Sequence, residues 1–254
     1  MAQGSKEEQR KWWLYNRFRY LDSKYNAADA LDDYIMVRTY GVADITITPY
    51  ADIYATVSYD GNLVQARALR GSSYTLKNPL TTANHSVVAI YSAGQLNDIG
   101  DLSGLKISWA NFSPGKKLSA LRVGSSAEGY TNPNLTDLTI GNLTLLRLLD
   151  VRNCINLTQS IDISGCTNIE YVYFDGTKIA GIKLPDGGNI KALHLPNTIT
   201  ALTIMNQPNL TDFQMPSYEN ISTLRLEAVD QSIFDTLTII DQIKPQSRIR
   251  IIGV

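Results

Sequence analysis

Residues 134–154, NLTDLTIGNLTLLRLLDVRNC, contain the phrase Leu135, Leu138, Ile140, and eleven residues later Leu146, Leu149, Val151. Self-similarity at a fixed short period constrains a fold more than any local propensity, because each repeat must stack on its neighbours to bury its apolar side. The same spacing of apolar residues returns at Leu157/Ile161/Ile163 (one residue stretched), Ile169/Val172/Phe174, Ile179/Ile182/Leu184, Ile190/Leu193/Leu195, Ile199/Leu202/Ile204, Leu210/Phe213/Met215 and Ile221/Leu224/Leu226, at intervals of nine to twelve residues. Each rung reads as a short strand with three inward side chains, followed by a reversing turn. Two rungs make a coil of about 21 residues. Alternate rungs then lie on opposite walls, and like rungs stack in parallel at about 4.8 Å per coil. Each inward Leu or Ile contributes about 1.5–3 kcal/mol on leaving water, which accounts for the repetition without invoking a site. Asn precedes many rungs, at 134, 156, 168, 189, 209 and 220, where its side chain can bond turning backbone.

The flanks do not share this period. Residues 5–31 have no Pro or Gly and place Leu14, Phe18, Leu21 and Tyr25 at helical spacing, predicting an N-terminal helix over 1–32. Its rings, Trp12, Trp13, Tyr15, Phe18 and Tyr20, are too many for one buried stripe and are expected to contact a neighbouring module. From 33 to 99 the apolar period is two, as in Ile53/Ala55/Val57/Tyr59, with a turn at Asp60-Gly61 before Val64/Ala66/Ala68. This predicts a small antiparallel β domain containing a hairpin. The repeats span 100–226, beginning with an irregular rung at Leu118/Leu121/Val123. Residues 227–254 are expected to cap the last coil, with a helix from Asp230 to Pro245 and then the strand RIRIIGV, because an uncapped coil exposes apolar surface and a strand edge.

The composition is 44% hydrophobic and 19% charged with a formal net charge of -1, which gives no general attraction to nucleic acid or anionic lipid. No apolar run reaches the roughly 18 residues of a membrane span, and MAQGSKEEQRKWW lacks the apolar centre of a secretory signal. Catalysis by histidine would need His85, in a turn, or His194, which points out of the ladder between Leu193 and Leu195. No G-x-S-x-G, H-E-x-x-H, C-x-x-C, Walker or G-x-G-x-x-G pattern occurs. Cys154, Cys166 and His194 lack metal-ligand spacing, so the two cysteines read as buried free thiols. No catalytic residue, cofactor or metal is expected. The Asn-x-Ser/Thr triplets follow from Asn-Leu-Thr opening a rung.

Between the second and third apolar residue of each rung one side chain points outward. Split by wall, these positions give Thr139/Asp162/Lys183/Thr203/Arg225 and Asp150/Tyr173/His194/Gln214. The second row, with a carboxylate, a phenol, an imidazole and an amide in line, is the better candidate interaction surface for a protein or a polar polymer.

The phrases NLTLLRLLDVRNC and NLTQSIDISGCTNIEYVYFDGT resemble leucine-rich repeats of a short bacterial type, from which the eleven-residue half-period departs. The longer combination of KWWLYNRFRYLDSKYN, ITITPYADIYATVSYDGNLVQARA and the repeats resembles segments of long structural proteins of gut bacteriophages. The expected fold is thus mainly β: an N-terminal helix and small antiparallel β domain, then a leucine-rich-repeat-like β-solenoid with a C-terminal helix/strand cap. The phage resemblance implies a non-catalytic module of a virion or tail, meeting other virion proteins or neighbouring domains of a longer chain, and host surface protein or glycan. It implies neither nucleic-acid binding nor membrane insertion. The alternative is a bacterial cell-surface repeat protein that mediates adhesion or ligand binding.

Overall fold

A computed structural model describes residues 34–40, 45–47, 53–59, 62–68, 74–76, 85–91, 98–103, 105–127, 131–217, 219–229 and 248–252. The predicted N-terminal helix with Trp12, Trp13, Tyr15, Phe18 and Tyr20, and the helix predicted after Asp230, lie outside these residues. The described chain is mainly β and winds a β-solenoid of about four turns. Among the described residues no helix is long and apolar enough to cross a membrane.

The period-two segment forms β1 (Tyr34–Tyr40), β2 (Ile45–Ile47), β3 (Ile53–Tyr59), β4 (Asn62–Ala68), β5 (Tyr74–Leu76) and β6 (His85–Tyr91). β3 and β4 pair antiparallel with Tyr59 opposite Asn62, the register expected of a hairpin; the predicted turn itself lies outside the described residues. β6 lies between β3 and β1, antiparallel to both.

The repeats divide between two walls. The first wall is a parallel six-stranded sheet in the order β7 (Asp98–Asp101), β9 (Ala120–Arg122), β11 (Leu148–Asp150), β13 (Tyr171–Tyr173), β15 (Ala192–His194), β17 (Asp212–Gln214). The second wall carries β8 (Ile107–Asn111), β10 (Asp137–Thr139), β12 (Ile161–Asp162), β14 (Ile182–Lys183), β16 (Ala201–Gln207), β18 (Thr223–Val229) and β19 (Arg248–Ile252). Its parallel pairs are β10 with β8, β12 with β14, β16 with β18, and β18 with β19. Successive rungs therefore alternate between walls, as the half-period requires. Nearly every inward position read from the repeats is buried, and Phe213 alone is only half-buried.

The antiparallel sheet and the solenoid are continuous. β1 pairs antiparallel with β8, whose other edge carries β10 in parallel, and Ile35 and Val37 of β1 belong to the same buried core as the rungs. A strand from the period-two segment thus covers the open hydrogen-bonding edge of the second wall. At the opposite end β19, from the RIRIIGV segment, extends that wall through β18.

Corners are built from two successive turns that share one inward residue. Cys154 N–H donates to Val151 O and Leu157 N–H to Cys154 O; Cys166 N–H donates to Ile163 O and Ile169 N–H to Cys166 O. The shared residue is sealed inside the coil, which selects small or internally satisfied side chains. Asn132 is fully buried at such a corner, accepting from Ile107 N–H and donating to Leu102 O and Val123 O. Burial pushes the Cys154 thiol up to about 12 and the Cys166 thiol to about 11; both are free. Where bonded, the rung-opening Asn side chains clip one coil to the one before: Asn168 Nδ2 donates to Thr144 O at 2.6 Å and Asn220 Nδ2 to Asn197 O at 2.6 Å. At Gly124 a Cβ would stand 2.1 Å from Arg152 O and 2.4 Å from Arg152 N, both backbone atoms of the next coil.

Three outcomes test this architecture. Leu193→Asp places an unpaired charge at a fully buried position and should cost several kcal/mol out of a total of about 5–15; an unchanged melting temperature would refute the inward assignment. Gly124→Ala, which cannot relieve its clash by rotating a side chain, should lower the urea midpoint by far more than an Ala substitution at exposed Ser126. Native-state labelling with a thiol reagent at pH 8 should be slow at both cysteines and become fast on unfolding, since little thiolate exists while they are buried.

Candidate functional site

The outward face of the first wall is fixed by strand register. Leu148 stands opposite Ala120 and Tyr171, Tyr171 opposite Ala192, and Ala192 opposite Asp212; two residues further along, Arg122, Asp150, Tyr173, His194 and Gln214 line up in the same way. The four residues read from the sequence as one row, Asp150, Tyr173, His194 and Gln214, are thus adjacent rung by rung. In the other row Asp162 pairs with Lys183 and Thr203 with Arg225, and the parallel bridge of Gly181 with Ala201 carries the register from one pair to the next; Thr139 belongs to the sheet that contains β8 and β1.

Contacts run through the row without a break. The Arg152 guanidinium forks onto Asp150, with Nε to Oδ1 at 3.0 Å and Nη2 to Oδ2 at 2.5 Å. This bond holds the Arg152 pKa above its ordinary value. The same guanidinium lies 4.8 Å from the centroid of the Tyr173 ring, a cation–π distance. On its other side Tyr173 meets His194 edge to face, with centroids 4.8 Å apart and planes at 70°. Burial raises the Tyr173 phenol, and the charge of Asp212 adds to the shift.

His194 lies between two carboxylates from neighbouring coils. Its Nε2 is 2.9 Å from Asp212 Oδ2 and its Nδ1 is 3.4 Å from Asp175 Oδ2. The longer contact is an ion-pair approach rather than a hydrogen bond, since Asp175 Oδ2 has no hydrogen-bond partner among the described residues. The carboxylates sit at opposite ring nitrogens, so His194 cannot join both of them in chelating one cation. Among the described residues no group of three or more His, Cys, Asp or Glu is placed to hold a metal ion. Asp212 also accepts from Gln214 Nε2 at 3.0 Å. Burial pushes the Asp212 carboxyl up, but the hydrogen bonds from His194 and Gln214 together with the charge of His194 outweigh it and hold the group below its ordinary value.

Just before the strands of the same wall is a second cluster that the sequence reading did not single out. Glu170 bridges Arg147 at 2.5 Å and Lys191 at 2.9 Å, and its carboxyl is held down first by Lys191 and then by Arg147. Lys191 Nζ is also 5.9 Å from the Tyr171 ring centroid. These charges occupy one rung position on alternate rungs, two residues before Leu149, Val172 and Leu193, so the + − + alternation at fixed phase was available as a signal. Tyr171 was missed because an exposed aromatic on a three-residue strand has no periodic mark of its own.

No protein-family model matches the chain, and neither a search of curated proteins nor one of solved structures gave a match.

The lowered Asp212 pKa fixes the sign of a pH effect. A carboxyl with a folded pKa below the unfolded value of about 3.9 stabilises the fold fully above that value and loses its contribution as pH falls through the folded value. The stability advantage of the wild type over Asp212→Asn should therefore shrink on acidification below about pH 4. Urea titrations of both proteins across that range would check it, and an advantage that grows with acidification would contradict the assignment.

Proposed function

We propose that the chain is a non-catalytic structural and interaction module, a component of a bacteriophage virion or tail, whose solenoid presents the outward face of its first wall to other molecules. The observation that carries the interaction part is the row Asp150, Tyr173, His194 and Gln214, held side by side by strand register and tied by contacts that run from Arg152 to Gln214. A face whose side chains are already locked loses little conformational entropy on binding. The non-catalytic part is supported by the setting of His194. A carboxylate stands at each ring nitrogen, so neither is left without a partner to serve as base toward a substrate.

Placement in a virion rests on the resemblance of KWWLYNRFRYLDSKYN and ITITPYADIYATVSYDGNLVQARA to segments of phage structural proteins. Mass spectrometry of nuclease-treated, gradient-purified particles tests it. Peptides of this chain should co-purify with particle proteins at fixed stoichiometry. Recovery only from a bacterial envelope fraction would overturn the virion placement in favour of a cell-surface adhesin.

A further inference from the structure

Tyr171 is a large side chain exposed on a strand of the first wall; Leu145 and Ile155 are exposed at corners. Its cross-strand neighbours on the two sides are Leu148 and Ala192. The smaller of these, Ala192, is buried beside it and has Asp212 as its own neighbour on the far side. Lys191 Nζ approaches the ring but is held on Glu170 at 2.9 Å, so it borders the ring.

The size of the strip selects among classes of ligand. Strands of three residues make it about 10 Å wide, and the four steps from β9 to β17 make it about 19 Å long. A strip on the order of 200 Å² falls well short of the roughly 800 Å² per partner that a stable protein interface covers, but it matches a single extended polymer chain. An extended peptide would add to an open backbone edge. From β9 to β15 the backbone is used up between coils, as in Phe174 N–H to His194 O and Leu195 N–H to Gln214 O, both 2.8 Å, and across this face only side chains point outward.

Charge selects further. The acids on this face each stand beside a cation or an imidazole: Asp150 by Arg152, Glu170 by Arg147 and Lys191, Asp175 and Asp212 by His194. Both signs therefore alternate along the strip, which offers no run of one sign to a polyanion or polycation. It offers an aromatic ring and oriented hydrogen-bonding groups, the complement of a sugar's C–H face and hydroxyls.

We propose that this face binds a neutral linear glycan running across β11 to β17, with one sugar ring stacked on Tyr171 and hydroxyls bonded by Lys191, Asp212 and Gln214. The inference rests on the reading of the first wall as an interaction face and adds the ligand class. Isothermal titration of the full chain with xylo-, manno- and cello-oligosaccharides, and with alginate oligomers as a polyanionic counterpart, tests it. At least one neutral oligosaccharide should bind. Tyr171→Ala, whose exposed position keeps the fold intact, should weaken that binding about tenfold; Asp212→Asn should weaken it less, and the corner variant Leu145→Ala should leave it unchanged. Binding of alginate alone, binding insensitive to Tyr171→Ala, or no binding of any neutral oligosaccharide would overturn the inference. If the chain still co-purifies with particles in that case, the ligand class fails and the reading as a virion module stands.

Discussion

The hydrogen-bond ladder between coils is the constraint on which the rest of this molecule depends. Most middle strands are two or three residues long, far too short to persist alone, and each exists only because its N–H and C=O groups meet the coils before and after it. Backbone bonds continue the pairing past the strand ends, as in Val123 N–H to Asp150 O and Val151 N–H to Tyr173 O. Stability in such an array comes from neighbour-to-neighbour terms. A corner that cannot close therefore damages two interfaces at once. Gly124 marks the tightest of these places, where the backbone of the next coil occupies the space a side chain would need.

Register at one coil per step also makes the outer face. Residues at equal positions on alternate rungs become cross-strand neighbours, so side-chain contacts run along the solenoid axis rather than along the chain. Glu170 reaches one coil back to Arg147 and one forward to Lys191, and His194 does the same with Asp175 and Asp212. Each of these contacts joins a largely buried side chain, Glu170 or His194, to more exposed partners. Their consequence is positional: they hold Tyr171, Tyr173 and their polar neighbours in a fixed array and alternate both signs of charge along the strip.

The ends of the solenoid show how an open ladder is closed. The edge of the second wall is covered by β1 in the antiparallel sense, and Asn132 fills the first corner with its amide bonded to three backbone groups. A buried amide with its donors and acceptor used is inexpensive to keep, whereas an open one is not. The antiparallel segment shares a sheet with the repeats through β1, and Ile35 and Val37 of that strand lie in the core of the repeats.

The two-walled solenoid, the inward residues, the burial of Cys154 and Cys166, and the alignment of Asp150, Tyr173, His194 and Gln214 were all legible in the sequence. Each follows from a period, and a period is a local property that survives without coordinates. Three features were decided only by the tertiary structure. The union of β1 with β8 joins segments about 70 residues apart that carry no common pattern. The side chains of Asn168 and Asn220 bond carbonyls of the preceding coil rather than their own turn. Arg152, Asp175, Glu170 and Lys191 enter the outer face because rung register places them beside Asp150, His194 and Tyr171. Apolar spacing determines which residues face inward. Which polar side chains meet outside depends on how the coils stack, and that is set by corner geometry and by the strand that closes the first edge.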